Sequence, residues 1–156
     1  MILHRNGLTD IPFEIGKLRN LRSIYIGGSP KLDFEAVIGK LAQLPNLEGV
    51  GLDDNGMSRL PSNIGRLKAC KRLGLSSNRL KELPNETGDI EGLETLDLYN
   101  NDLRTLPVGT GALKRLKKVY VKNSGLAPEE LERLRRLLPE VEFGEEVLKE
   151  LYLQMY

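Results

Sequence analysis

Apolar residues recur along this chain at a fixed interval. Lines that begin at Leu21, Leu47, Cys70, Leu93 and Leu116 align a common pattern, L-x-x-L-x-L-x-x-N. The steps between lines are 26, 23, 23 and 23 residues, which is internal repetition and not chance clustering of a common residue. The apolar trios are Leu21, Ile24, Ile26; Leu47, Val50, Leu52; Cys70, Leu73, Leu75; Leu93, Leu96, Leu98; and Leu116, Val119, Val121. The ninth place is small and polar: Ser29, Asn55, Asn78, Asn101 and Ser124, with Asn6 holding it in a partial line ahead of the first.

Alternation of the form L-x-L predicts a short strand that buries one face and exposes the other. One such strand cannot satisfy its own backbone, so the strands stack in parallel and each line depends on the next. An asparagine at the ninth place suits the turn leaving the strand, because its amide both donates to and accepts from buried backbone groups; serine does half of that. Two returns read as helical. Phe34, Val37, Ile38, Leu41 and Leu44 follow Asp33 as N-cap and stop at Pro45, and Pro128 starts a helix carrying Leu131, Leu134, Leu137 and Leu138, ending before Pro139. The returns with Pro61, Pro84 and Pro107 are expected to be extended, with room for a short turn of helix.

The ends differ. Met1, Leu3, Leu8, Ile11 and Leu18 begin in mid-line, so an open apolar edge is expected there, and a homodimer through that edge is one way to cover it. Val141, Glu142 and Phe143 start a last strand, and residues 144–156 carry Val147, Leu148, Leu151, Tyr152 and Met155 on one helical stripe. That helix is expected to cap the stack, with partner binding or swapping between copies as the alternative.

Composition narrows the function. The chain has 156 residues, 30 of them Leu and none Trp, so one aliphatic residue builds most of the core. Lys and Arg number 23 against 22 Asp and Glu, a net charge of +1 that gives no bulk attraction to nucleic acid or anionic membrane. No apolar run approaches the roughly 18 residues of a membrane span, and Met1 to Asp10 lacks a signal-peptide layout. A cytoplasmic protein with no nucleic-acid or membrane partner is expected. A lone Cys70 and a lone His4 leave no cysteine cluster and little imidazole chemistry.

On these residues the chain resembles the leucine-rich repeat family, over about residues 1–143. The segments Leu60-Pro61-Ser62-Asn63-Ile64-Gly65-Arg66-Leu67 and Ile11-Pro12-Phe13-Glu14-Ile15-Gly16-Lys17-Leu18 are similar to the L-P-x-x-I-G-x-L return of the intracellular, 23-residue type. The stretch from Pro128 to Phe143 is similar to the last repeat of many bacterial members. Departures are Cys70 for the first Leu, serine for asparagine at two places, and Val108-Gly109-Thr110-Gly111 in place of Ile-Gly. The resemblance implies an α/β leucine-rich repeat solenoid, a curved horseshoe segment with a parallel sheet on the concave face and mixed helical and extended returns on the convex one. The domain would comprise a partial repeat 1–20, repeats from 21, 47, 70, 93 and 116, a terminal strand 141–143, and a capping helix 144–156.

In this family the concave face usually holds the ligand, which makes the outward columns the candidates. The column Arg22, Glu48, Lys71, Glu94, Lys117, Glu142 alternates in sign and is expected to neutralise itself. The other columns read Tyr25, Gly51, Gly74, Asp97, Tyr120; Gly27, Asp53, Ser76, Tyr99, Lys122; and Gly28, Asp54, Ser77, Asn100, Asn123. Glycine and serine would leave a shallow floor between tyrosines. Tyr25, Tyr99 and Tyr120 are therefore the expected anchors for a protein or peptide, with Asp53, Asp54, Asp97, Arg72 and Lys122 setting orientation. The competing view is that Gly and Ser only permit tight strand packing. The acids are expected to stay hydrated and to bind no metal.

Enzyme signatures are lacking. There is no phosphate loop, no H-E-x-x-H and no G-x-S-x-G, and Cys70 falls on a buried place. The expectation is a non-catalytic protein-interaction module without cofactor or metal. Alternatives are the targeting part of a larger kinase, GTPase or ubiquitin ligase, and a structural or engineered scaffold.

Overall fold

A computed structural model of the chain describes residues 1–144. Six three-residue strands lie in chain order in one parallel sheet: β1 (Ser23–Tyr25), β2 (Gly49–Gly51), β3 (Arg72–Gly74), β4 (Thr95–Asp97), β5 (Lys118–Tyr120) and β6 (Glu142–Gly144). The middle residues Ile24, Val50, Leu73, Leu96, Val119 and Phe143 sit in one register row. The first five are buried, as are Ile26, Leu52, Leu75, Leu98 and Val121 two places on. Each fully buried aliphatic side chain contributes roughly 1.5–3 kcal/mol, so rows shared between repeats hold the stack together.

Two returns are helical. In α1 (Phe34–Leu41) the Asp33 carboxylate accepts from the backbone N–H of Glu35 at 3.0 Å and of Ala36 at 3.2 Å. This satisfies two of the orphan donors at the helix start. The helix stops before Leu44 and Pro45, and Phe34, Val37, Ile38 and Leu41 face the core. In α2 (Pro128–Leu137), Pro128 takes a first-turn place that needs no N–H, Glu129 and Glu130 follow it, and Arg135 and Arg136 close the last turn. Leu134 and Leu138 are buried, Leu131 is half-buried, and Leu137 is 44% exposed at the helix end.

The proline returns take up the short helical turn for which the sequence left room, as 3₁₀. Five-residue turns, Phe13–Lys17, Ser62–Arg66, Asn85–Asp89 and Val108–Ala112, follow Pro12, Pro61, Pro84 and Pro107. Proline pre-sets an extended residue ahead of each turn, with φ between −67° and −61°. Glycine then allows the turns to stack: a Cβ at Gly65 would lie 2.5 Å from the Glu86 carbonyl oxygen, and one at Gly109 would lie 2.5 Å from that of Asn85. Thr87 and Thr110 fill the places held by Ile15 and Ile64 in the sister turns. Both are fully buried, and neither hydroxyl has a hydrogen-bond partner.

The first residues add a further, partial row. Ile2 bridges Tyr25 in parallel, Leu3 N–H donates to the Tyr25 carbonyl at 2.7 Å, and Arg5 N–H donates to that of Gly27 at 2.8 Å. The edge toward β1 is thus paired. Met1, Ile2 and Leu18 remain 41–47% exposed. No helix among the described residues is long and apolar enough to cross a membrane. The expected capping helix, with Val147, Leu148, Leu151, Tyr152 and Met155, lies outside the described residues except for Gly144, which closes β6.

Candidate functional site

Each strand leaves the sheet through the same backbone turn. The residue before the ninth place adopts a left-handed conformation in every row: Arg5, Gly28, Asp54, Ser77, Asn100 and Asn123, with φ from 50° to 62°. Glycine, asparagine and aspartate tolerate this region, so the column's composition was its signal; Arg5 is the bulky exception. The turn presents the seventh and eighth places of each line on the concave face.

The asparagines then tie neighbouring turns together. Asn78 Nδ2 donates to the carbonyls of Leu52 at 3.0 Å, Leu75 at 2.9 Å and Ser76 at 3.2 Å, while its Oδ1 accepts from Asn55 N–H and Met57 N–H, each at 3.1 Å. Asn55 accepts from Ser29 N–H and donates to the Ile26 carbonyl; Asn101 donates back to Leu75 and accepts from Leu80 N–H. Ser29 and Ser124 are buried at the two ends of this row, and Asn6 beyond it is exposed.

Along the rim, Glu48 takes Lys71 at 3.0 Å and Arg22 at 3.8 Å, and Glu94 takes Lys117 at 2.7 Å. Hydrogen bonds from Lys71 and Lys117 hold the two glutamates below the ordinary carboxylate range. No ion pair joins Lys71 to Glu94, so the expected ladder separates into two groups. Its sixth member is also misplaced: Glu142 sits opposite Lys118, not Lys117, and pairs with it at 2.8 Å. The step from β5 to β6 is 24 residues (Lys118 to Glu142), one fewer than the 25 implied by a line that starts at Val141, so the last strand sits one residue away from that line.

The centre of the face departs most from expectation. Asp53 and Asp97 are each 2% exposed, not hydrated. Asp53 Oδ1 accepts from Ser76 N–H at 2.6 Å and from its hydroxyl at 2.8 Å, and Asp97 Oδ1 accepts from Tyr99 N–H at 2.9 Å. Burial pushes the Asp53 carboxyl up to about 7, with the Ser76 hydroxyl opposing and the charge of Asp97 adding to the rise. Burial likewise raises Asp97 to about 6. The glycines leave no hollow, because neighbours fill them. A Cβ at Gly51 would meet the Tyr25 ring, one at Gly74 would lie 2.9 Å from Asp53 Oδ2, and one at Gly49 would lie 2.7 Å from Ser23 Oγ.

Of the eight candidate residues, the structure places four in the floor and leaves four reachable. Tyr25 and Tyr120 are 8% and 7% exposed; the first stacks on His4 with ring centres 5.5 Å apart, and the second lies 5.0 Å from Lys118 Nζ. They join Asp53 and Asp97 in the floor. Asp54 and Lys122 are exposed, and Tyr99 and Arg72 are half-buried. Asp54 pairs with Arg5 at 3.2 Å. For chemistry the face offers little: Cys70 is fully buried, its thiol pushed up to about 12, and among the described residues no three His, Cys, Asp or Glu gather where a metal ion could be held.

A parallel solenoid of this kind, built on an asparagine row, defines a class of repeat proteins that typically bind other proteins. The leucine-rich repeat region family matches residues 58–151, and the chain belongs to the leucine-rich repeat family. No curated protein sequence matches it significantly. Among solved structures, a leucine-rich repeat protein of Leptospira interrogans is 34% identical with a TM-score of 0.70, over 86% of this chain and 33% of that one. An internalin of Listeria monocytogenes is 19% identical, with a TM-score of 0.64 over 90% of this chain and 39% of its own. A structure of the Drosophila Toll–Spätzle complex gives 24%, 0.63, 75% and 16%. These last two share the fold alone. The chain thus spans about a third of the Leptospira protein's length.

Proposed function

We propose that this chain is a non-catalytic module that binds a protein or peptide on its concave face. The observation that carries the reading is the division of that face into a filled floor and a reachable layer above it. Tyr25, Tyr120, Asp53 and Asp97 fill the floor; Tyr99, Arg72, Lys122 and Asp54 keep surface within reach of a partner. A rigid base under one aromatic and a few charges suits protein recognition, since an anchor already held in place loses little entropy on binding. Crosslinking through Lys71, Lys117, Lys118 and Lys122, followed by affinity capture, identifies the partner. Titration against single alanine variants then locates it, and undiminished affinity in the Tyr99, Arg72 and Lys122 variants alike refutes the concave face.

A second copy meeting the first at the N-terminal edge is a further reading, favoured by the exposed Met1, Ile2 and Leu18. Sedimentation over about a hundredfold range of concentration tests it, because a dimer dissociates on dilution and a monomer does not change.

A further inference from the structure

Beside the rim of Glu48 and Lys71, the edge where the returns enter the strands carries a second feature. A groove of about 590 Å³ runs across four successive rows there, floored by Ala69, Gly92 and Ala112. Gly92 is small for a reason of backbone approach: a Cβ there would lie 2.9 Å from the Lys68 carbonyl oxygen and 3.1 Å from that of Cys70. Four cations and two acids line it. Both acids are already engaged, Glu48 by Lys71 at 3.0 Å and Glu91 by Lys68 at 3.7 Å. Lys114 and Arg115, both exposed at the β5 end, enter no ion pair among the described residues. The lining therefore carries a surplus of two positive charges at one end; the nearest acid outside it, Glu94, feels Arg115 but is already held by Lys117 at 2.7 Å.

We propose that this groove binds an extended acidic segment of a protein partner, with its carboxylates at Lys114 and Arg115 and its backbone along Ala69, Gly92 and Ala112. Three inter-row steps of about 4.8 Å give a track of about 14 Å, the reach of about four extended residues. A track that narrow and short fits a single peptide strand. A nucleic-acid backbone presents phosphates at every unit and would need cations along the whole track, whereas here those at Lys68 and Lys71 are taken.

The probe is a fluorescein-labelled peptide of about ten residues alternating Glu and Ala, titrated at low salt into the full chain, with amide resonances followed by NMR. The proposal expects saturable shifts at Ala69, Gly92 and Ala112, and about tenfold weaker binding in Lys114→Glu with Arg115→Glu. Lys31→Glu with Lys81→Glu, exposed cations outside the groove, should leave affinity unchanged. No saturable binding, equal losses in the two double variants, or tighter binding of a single-stranded oligonucleotide at the same residues would overturn it. Because none of the substituted residues lies among the concave-face contacts, failure here leaves the concave-face reading standing.

Discussion

The carboxylate of Asp53 lies over Gly74, the residue opposite Asp97 in the sheet, so two buried acids share one patch of the concave face. Gly74 makes this possible, since any Cβ there would sit 2.9 Å from Asp53 Oδ2. The patch trades stability for a stiff floor whose charge depends on pH.

That dependence has a definite sign. Asp53 rises from an ordinary 3.8 to about 7 on folding, and Asp97 from 3.8 to about 6, so between these values the folded chain holds more protons than the unfolded one. Their contribution to stability is present below about pH 4 and is lost as pH rises through about 7. Asp53→Asn keeps the acceptor for Ser76 and removes the charge. Thermal melts at pH 5 and pH 8 should show the variant losing less stability over that interval than the parent, with a gain of roughly 1–3 kcal/mol at the upper end. An unchanged interval would mean that the acids are hydrated.

Glu130 works in the opposite direction. It accepts from Arg133 at 2.7 and 2.8 Å and from the Thr105 hydroxyl at 2.6 Å, fastening α2 to the preceding row. The Arg133 hydrogen bonds hold its carboxyl well down, to about 2. Its stabilising contribution is therefore full above about 4.5 and is lost as pH falls toward 2. Glu130→Gln should cost about 1–2 kcal/mol at neutral pH by urea unfolding, and the penalty should shrink in acid.

The buried hydroxyls of Thr87 and Thr110 offer a gain. Each is fully buried without a partner in a 3₁₀ turn whose sisters carry isoleucine. Thr87→Val and Thr110→Val remove an unsatisfied group at nearly constant volume and should each stabilise by about 1 kcal/mol. A loss in either variant would mean that the hydroxyl has a partner, such as a buried water.

Asn78 is the opposite case, because every polar atom of its amide is used. Asn78→Ala strands the N–H groups of Asn55 and Met57 and the carbonyl of Leu52, and should cost about 2–4 kcal/mol in urea unfolding. Asn6→Ala, at the exposed end of the row, should cost almost nothing.

The row spacing and the inward Leu, Ile and Val positions were legible because burial in a solenoid repeats with the chain. What escaped the sequence was set between rows. The solvation of Asp53 depends on what its neighbours lack, namely side chains at Gly51 and Gly74, and no periodicity reports that. The place of Glu142 depends on the step from β5 to β6, whose 24 residues set it opposite Lys118 and not Lys117. Tyr25 and Tyr120 were found as concave residues, but their lying flat against the face follows from the space left by Gly51 and Gly144. The left-handed turn at Arg5 was hidden by a residue type that rarely adopts it.

The most direct test of the concave-face account is a calorimetric titration of the captured partner against the chain carrying Arg72→Ala, Tyr99→Ala and Lys122→Ala together. These side chains lie above the floor, so the variant should melt within about 1 kcal/mol of the parent and still lose roughly thirtyfold or more in affinity. A variant that folds normally and binds its partner as tightly as the parent would contradict the account.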